Sequence, residues 1–144
     1  MQPFSGPVID ASVVAAAVLD DEVPPIASAA LRGVAERGAI VPSLFWYEMR
    51  NVFVVAVRRK RTSDEAAALK LRQLRTLDIA VVPEPRDEAI WRIAGAHSLT
   101  AYDAAYAVVA VRENRPLATL DKALIRAGEA GAFARWLPTS APPP

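Results

Sequence analysis

The stretch Pro7-Val8-Ile9-Asp10, followed by residues 12–19 (SVVAAAVL), decides the fold class. The first four residues predict a short buried strand that ends on a carboxylate, and the Ala- and Val-rich run behind it predicts a helix. Three further short apolar runs predict strands, at residues 39–41, 79–82 and 116–119. Because short strands that alternate with helices are typical of parallel βαβ units, we expect an α/β protein whose helices cover both faces of one sheet.

Helix signals fill the segments between these strands. Pro25 begins a predicted helix at residues 25–37, and Gly38 occupies the position of a left-handed cap. Ser43 is the predicted N-cap of a long helix at residues 44–61. Thr62 and Glu65 predict a capping box for the next helix, which ends near residue 77. The remaining predicted elements are helices at residues 86–96, 100–114 and 121–130 and a candidate edge strand at residues 133–137.

Composition excludes several kinds of chemistry. The chain contains no cysteine and one histidine, His97, which excludes thiol catalysis, disulfides, zinc fingers and multi-histidine metal sites. Because 17 Lys and Arg residues nearly balance 16 Asp and Glu residues, nucleic-acid binding by bulk positive charge is excluded as well. Residues 11–14, directly after the first strand, contain no glycine, which excludes a Walker-type or dinucleotide-binding phosphate loop.

The length of 144 residues and the 53% content of hydrophobic residues predict one domain with a real core. We assign this domain to residues 1–138 and expect the Pro-rich residues 139–144 to form a flexible tail. The N-terminal residues lack the basic and apolar segments of a signal peptide, and no uncharged apolar run of about 18 residues predicts a membrane span. We therefore expect a cytoplasmic protein.

Four acidic residues stand where ligands bind in open α/β sheets, near the carboxyl ends of the strands. Asp10 ends the first predicted strand, and Asp121 follows the fourth. Glu48 lies among apolar residues one turn into the long helix, and Asp103 lies near the start of its own helix. Carboxylates gathered together repel one another, and a hard divalent cation, Mg²⁺ or Mn²⁺, compensates them with oxygen ligands. This is the metal chemistry that the composition readily allows.

Each of these acids also fits a plainer role. Asp10 and Asp121 stand at positions that cap a following helix, and Glu48 fits a solvent-exposed stripe of an amphipathic helix. Thr100 and Asp103 have the spacing of a capping box, and an acid suits the first turn of a helix. Spacing alone does not separate these roles from metal binding.

Four sequence blocks surround the acids in order, and together they carry a resemblance. They are VIDASVV (8–14), VPSLFWYEMRN (41–51), LTAYDAAY (99–106) and LATLDKAL (117–124). Over about residues 8–137 the chain resembles the PIN-domain family and, within it, the VapC toxins of bacterial toxin–antitoxin pairs. The resemblance implies a three-layer α/β/α sandwich with a central, mainly parallel sheet of four to five short strands. It also implies an endoribonuclease that hydrolyses RNA phosphodiester bonds with Mg²⁺ or Mn²⁺.

The resemblance also assigns roles to residues. Asp10, Glu48, Asp103 and Asp121 fall on the four acidic positions that bind the metal and carry catalysis. The residues that orient ligands or water would be Thr119, Ser12 and Asn51. The departures from the family pattern are Arg50 and the Pro-rich tail.

The partners implied by the resemblance are an RNA substrate, with transfer RNA and ribosomal RNA as candidates, a cognate antitoxin that inhibits the enzyme, and a second copy in a homodimer. A PIN-like module that binds RNA or a protein without cutting it is the alternative. Helices 25–37 and 63–77 carry apolar residues that either form a groove for an antitoxin helix or face the core of the chain itself.

The basic run Arg58-Arg59-Lys60-Arg61 ends the long helix, where it either complements the helix dipole or contacts RNA phosphates. Residues 51–57 are almost uniformly apolar, which indicates core packing and, as our preferred addition, a dimer face. We expect Trp46 and Trp91 to lie in the core, and Trp136 to be structural, rather than to act as base-stacking platforms.

Overall fold

The computed structural model describes residues 6–138, and the predicted tail at 139–144 lies outside these residues. The strands are β1 (Val8–Ile9), β2 (Ala39–Val41), β3 (Ile79–Val81) and β4 (Leu117–Ala118). The helices are α1 (Ala11–Leu19), α2 (Pro25–Arg37), α3 (Leu44–Arg58), α4 (Asp64–Arg75), α5 (Asp87–His97), α6 (Ala101–Arg112) and α7 (Lys122–Glu129).

The four strands form one parallel sheet in the order β3-β2-β1-β4. Val8 pairs with Ile40 on one side and with Leu117 on the other, so β1 lies inside the sheet. Helices α1 to α4 pack against one another, whereas α5 packs on α6, which contacts β1 and β4. The predicted α/β/α sandwich is confirmed, and all four carboxyl ends point to the same edge of the sheet.

The predicted edge strand at residues 133–137 is reduced to a single parallel bridge between Arg135 and Leu117. The backbone N–H of Leu117 donates to Ala134 at 2.9 Å, and that of Trp136 donates back to Leu117 at 3.0 Å. This short contact extends the sheet beyond β4 without forming a regular strand.

Two helices, α3 and α6, end earlier than the sequence predicts, because a residue in the left-handed conformation stops them. Lys60 (φ 59°) follows α3, and the N–H of Arg61 then bonds to the carbonyl of Ala56. Asn114 (φ 53°) follows α6 in the same way. This is the Schellman arrangement, which satisfies the last carbonyls of a helix. Helix α3 therefore ends at Arg58 rather than at residue 61.

One of the predicted N-caps is wrong, and another lacks its capping bond. Ser43 occupies the N-cap position of α3 as predicted, but its hydroxyl donates to Glu84 and makes no capping bond. Ser63, not Thr62, caps α4, since its hydroxyl accepts the N–H of Ala66 at 3.1 Å. Thr100 caps α6 as predicted, with the N–H of Asp103 donating to its hydroxyl at 3.1 Å.

The core lies between the sheet and the helices, and its largest fully buried side chains include Tyr106, Phe45 and Met49. Trp46 is buried as predicted. Trp91 is 81% exposed, so the prediction of a core position is wrong. The reason is that α5 forms an outer layer on α6 and contributes no fully buried residue. Within residues 6–138, every helix is too short or too polar to cross a bilayer.

Candidate active site

Asp10 is the most constrained acid of the chain. It follows β1 directly and is 4% exposed. Its Oδ1 accepts hydrogen bonds from the Ser12 hydroxyl at 2.6 Å and from the N–H of Val13 at 3.2 Å, and its Oδ2 accepts from the Thr119 hydroxyl at 2.5 Å. The bond from Val13 caps α1, so the helix-capping role is also present. Capping and ligand binding are compatible, because a carboxylate accepts several bonds.

Ser12 and Thr119 connect Asp10 to the end of β4. The Ser12 hydroxyl accepts the N–H of Leu120 at 2.9 Å, and the Thr119 hydroxyl accepts the N–H of Asp121 at 3.0 Å. Both hydroxyls donate to Asp10, so they are oriented by the backbone that follows β4. The structure therefore brings Ser12, Thr119 and Asp10 together.

Asp121 caps α7 by accepting the N–H of Leu124 at 2.9 Å. It is linked to Asp10 through Thr119, and its charge raises the pKa of Asp10. The two acids therefore sit beside each other at the carboxyl ends of β1 and β4, which are neighbours in the sheet.

Glu48 lies half-buried in the second turn of α3. Its Oε1 accepts a 2.5 Å hydrogen bond from the hydroxyl of Tyr106 on α6, a contact that the sequence analysis missed. Burial raises the pKa of Glu48, the bond from Tyr106 lowers it, and the charges of Asp10, Asp103 and Asp121 raise it. The spacing of Asp103 and Tyr106, three apart on one helix face, is the signal that could have found this residue.

Asp103 occupies the first turn of α6 and is half-buried. Burial raises its pKa, the charge of Asp121 raises it further, and a hydrogen bond from Thr100 opposes the rise. Thr100 therefore caps α6, as its spacing suggests. The negative charge of Asp121 still acts on Asp103.

The four acids share one electrostatic environment. The pKa of Asp10 rises from 3.8 to about 6, chiefly through burial, with the bonds from Ser12, Thr119 and Val13 opposing the rise and the charge of Asp121 adding to it. None of the four ion pairs within residues 6–138 includes any of these acids. The site therefore concentrates negative charge that forms no ion pair with a cation of residues 6–138, an arrangement that favours a bound metal ion.

The acids in the described residues nonetheless do not form a preformed metal-binding site. Within residues 6–138, no three Asp, Glu or His side chains are grouped closely enough to hold an ion. The donor set itself fits a hard cation, because all four side chains offer carboxylate oxygens. The residues fit Mg²⁺ or Mn²⁺ by chemistry, and binding requires their side chains to draw together.

The other predicted site residues lie apart from this cluster. Asn51 is exposed, and in the described part of the chain it makes no hydrogen bond to the acids. Arg58, Arg59 and Lys60 are exposed at the end of α3, roughly 15 Å along the helix axis from Glu48. Arg61 donates to the carbonyl of Leu19 and pairs with Asp20 at 3.5 Å, so it has a structural role.

The fold and the site define an α/β protein with an acidic site at the carboxyl edge of a parallel sheet. The model of the PIN domain family matches residues 8–130, and the chain belongs to this family. PIN domains are in general metal-dependent nucleases.

One solved structure, the crystal structure of PAE2754 from Pyrobaculum aerophilum, superposes with a TM-score of 0.70. It shares 24% sequence identity, over 88% of this chain and 86% of that chain, which establishes a common fold. No protein of curated function matches the sequence significantly.

Proposed function

We propose that this PIN domain is a metal-dependent endoribonuclease of the VapC toxin type, and that it cuts RNA with the four acids Asp10, Glu48, Asp103 and Asp121. One observation carries the proposal: burial, together with the charge of Asp121, raises the pKa of Asp10, Glu48 and Asp103. Within residues 6–138, none of the four acids forms an ion pair. Partly buried carboxylates without a counter-charge destabilise a fold, so such a cluster is typical of a site that binds a cation or carries out a reaction.

The four acids would hold Mg²⁺ or Mn²⁺ through their carboxylate oxygens. A metal bound there supplies a water of lowered pKa and a positive charge for the phosphate oxygens. The residues of the chain do the positioning. Ser12 and Thr119 fix both oxygens of Asp10. Tyr106 fixes one oxygen of Glu48, and among residues 6–138 no group donates to the other, which would accept a ligand.

The exposed cations Arg58, Arg59 and Lys60 support RNA as the substrate. The phosphates of an RNA strand are repelled by four carboxylates, so RNA binding needs positive charge near the site. Because the total charge of the chain is nearly balanced, this positive charge must come from a local cluster of basic residues. Because these residues lie roughly 15 Å from Glu48 along α3, they would contact phosphates several nucleotides away from the cleaved bond.

An apolar groove supports the antitoxin as a partner. It has a volume of 760 Å³ and runs between α1, α2 and α4, and its walls include Val18, Leu31 and Leu77. Arg32 and Lys70 lie among these apolar side chains. We propose that an amphipathic antitoxin helix with acidic residues binds in this groove. For the proposed homodimer, α3 offers an outer face with Tyr47 and Val54 exposed.

Cleavage of a short single-stranded RNA by partner-free protein tests the proposal. The reaction is run with Mg²⁺, with Mn²⁺ and with chelator, beside the variants Asp10→Asn and Asp103→Asn. The matched control is Asp78→Asn, an exposed acid outside the cluster. We expect metal-dependent cleavage that both site variants lose and the control keeps. Cleavage in chelator, or cleavage retained by both site variants, would contradict the assignment.

One observation favours the alternative of a non-catalytic PIN-like module that binds RNA or a protein. The acids in residues 6–138 are not pre-arranged as an ion site. This alternative predicts RNA or protein binding that is independent of metal and is not followed by cleavage in either Mg²⁺ or Mn²⁺.

A further inference from the structure

Tyr102 is an exposed aromatic residue next in sequence to Asp103, one of the four acids. It directly precedes Asp103 in the first turn of α6, and it is 68% exposed. In the part of the chain that the structure describes, its hydroxyl makes no hydrogen bond and its ring contacts no other ring or cation. The fold thus gains little from an aromatic side chain at this position.

The helix register places Tyr102 on the face of α6 that carries Tyr106. Tyr102 and Tyr106 are four residues apart, so they lie one above the other on the same face of α6. The hydroxyl of Tyr106 reaches Glu48 at 2.5 Å, which identifies this face as the one turned toward α3 and its acid. Tyr102 therefore lies one helical turn, about 6 Å, outward from the residue that holds Glu48.

We propose that Tyr102 is a stacking platform for an unpaired nucleobase beside the cleaved phosphate, so that the site takes single-stranded RNA. The inference rests on the proposed nuclease function. An aromatic ring stacks on any base whose face is open, and it does so without sequence preference. In a duplex, neighbouring base pairs already cover both faces of each base, so the ring selects unpaired segments such as loops and tails.

Two other exposed aromatic residues are less suited to this role. Tyr47 precedes Glu48 and is 71% exposed, but the guanidinium of Arg50 already lies over its ring, 5.1 Å from the centroid. Trp91 is 81% exposed on α5, where its neighbours are Asp87, Glu88 and Arg92 rather than the acids of the site. Trp91 therefore provides a matched control of similar chemistry at a different place.

Binding of a fluorescein-labelled 12-nucleotide RNA tests the inference by anisotropy. The parent protein is Asp10→Asn in Mg²⁺, in which cleavage is expected to be lost and one repelling charge is removed. Three variants are made in this background: Tyr102→Leu, Tyr102→Phe and Trp91→Leu. The same RNA annealed to its complement serves as the duplex probe.

We expect Tyr102→Leu to weaken binding of the single strand about tenfold. Tyr102→Phe and Trp91→Leu should stay within about twofold of the parent, and duplex binding should not respond to Tyr102→Leu. In the catalytically intact protein, Tyr102→Leu should raise KM and leave kcat nearly unchanged. This split excludes a merely structural effect.

Binding by the parent that Tyr102→Leu leaves unchanged overturns this inference alone, and so does an equal loss of duplex binding. A parent that binds no RNA, together with a wild type that cleaves none in Mg²⁺ or Mn²⁺, overturns both the inference and the proposed function. A drop in the dimer fraction of Tyr102→Leu, with RNA binding unchanged at equal dimer concentration, assigns the ring to a protein interface and also overturns the inference.

Discussion

The hydroxyl of Tyr106 on α6 donates to Oε1 of Glu48 on α3 across 2.5 Å. Tyr106 is 1% exposed, and burial together with its bond to Glu48 raises its pKa, so the hydroxyl keeps its proton and donates to the Glu48 carboxylate at neutral pH. Asp103 lies on the same helix one turn earlier. The bond thus joins the two helices that carry Glu48 and Asp103 and fixes one acid relative to the other.

Tyr106→Phe should weaken Mn²⁺ binding about tenfold, because Glu48 loses the donor that orients it. The variant keeps the ring in the core, so the free energy of unfolding should fall by only about 2 kcal/mol. Titration of Mn²⁺ by calorimetry measures the first effect. In a Glu48→Gln background, Tyr106→Phe should change Mn²⁺ affinity no further. Equal losses in both backgrounds would mean that Tyr106 does not act through Glu48.

Thr119→Val should destabilise the protein by about 2–3 kcal/mol at neutral pH. The substitution conserves shape but removes the donor to Oδ2 of Asp10 and the acceptor for the N–H of Asp121. Urea denaturation of the metal-free protein measures the loss. Thr119→Ser, which keeps the hydroxyl, is the control and should recover most of the stability; a serine variant as unstable as the valine variant would refute the role of the hydrogen bonds.

The stability of the metal-free protein should fall as the pH rises through the titration range of Asp10. Its pKa is about 6 in the folded state against an ordinary 3.8, so the folded protein binds this proton more tightly than the unfolded chain does. The stabilising contribution is full below about pH 4 and is lost as the pH rises through about 6, a total of about 3 kcal/mol.

Asp10→Asn removes this titrating carboxyl. The unfolding free energy of the variant should therefore increase relative to that of the wild type as the pH rises. Denaturation curves in chelator across this pH range provide the measurement. A difference in unfolding free energy that stays constant with pH would show that burial does not raise the pKa of Asp10.

Mg²⁺ or Mn²⁺ should stabilise the folded protein, because the ion binds the native acids and not the dispersed ones of the unfolded chain. At about 100 times the dissociation constant the gain is about 2.7 kcal/mol, which raises Tm by about 5–10 °C. Thermal denaturation with and without metal measures the shift. Asp78→Asn should keep it, whereas Asp10→Asn and Asp103→Asn should lose most of it; a shift of equal size in all four proteins would indicate nonspecific binding.

Charge reversal of Arg58 and Arg59 together should weaken binding of single-stranded RNA and reduce the slope of log K against log salt by about 1.4. The reason is that two fewer cations then release counterions from the strand. Arg86→Glu is the control, since its side chain is 87% exposed elsewhere on the surface. The phosphate role of the α3 terminus is wrong if the control changes the slope equally.

Much of the fold could be predicted because its signals are local. The apolar runs of two to four residues that end at Asp10 and Pro42 are β-strands, and Gly38 stands at a positive φ as expected. Local signals failed where a distant partner competes. Serine is a favoured residue type at helix N-caps, yet the hydroxyl of Ser43 donates to Glu84, 41 residues away.

The resemblance to the PIN domain family is confirmed, whereas the roles of the individual site residues stay predictions. The exposed position of Trp91 could not be predicted, because an apolar residue at helical spacing gives no sign of which helix forms the outer layer.

By itself, the sequence determined the succession of strands and helices, the parallel sheet and the set of acids that reach its carboxyl edge. These features depend on hydrophobic periodicity and on residues adjacent in the chain. Only the tertiary structure decided the strand order, the nearly complete burial of Asp10 and the contact of Tyr106 with Glu48, 58 residues away. Burial and long-range hydrogen bonds arise from packing of distant segments, so no local pattern encodes them.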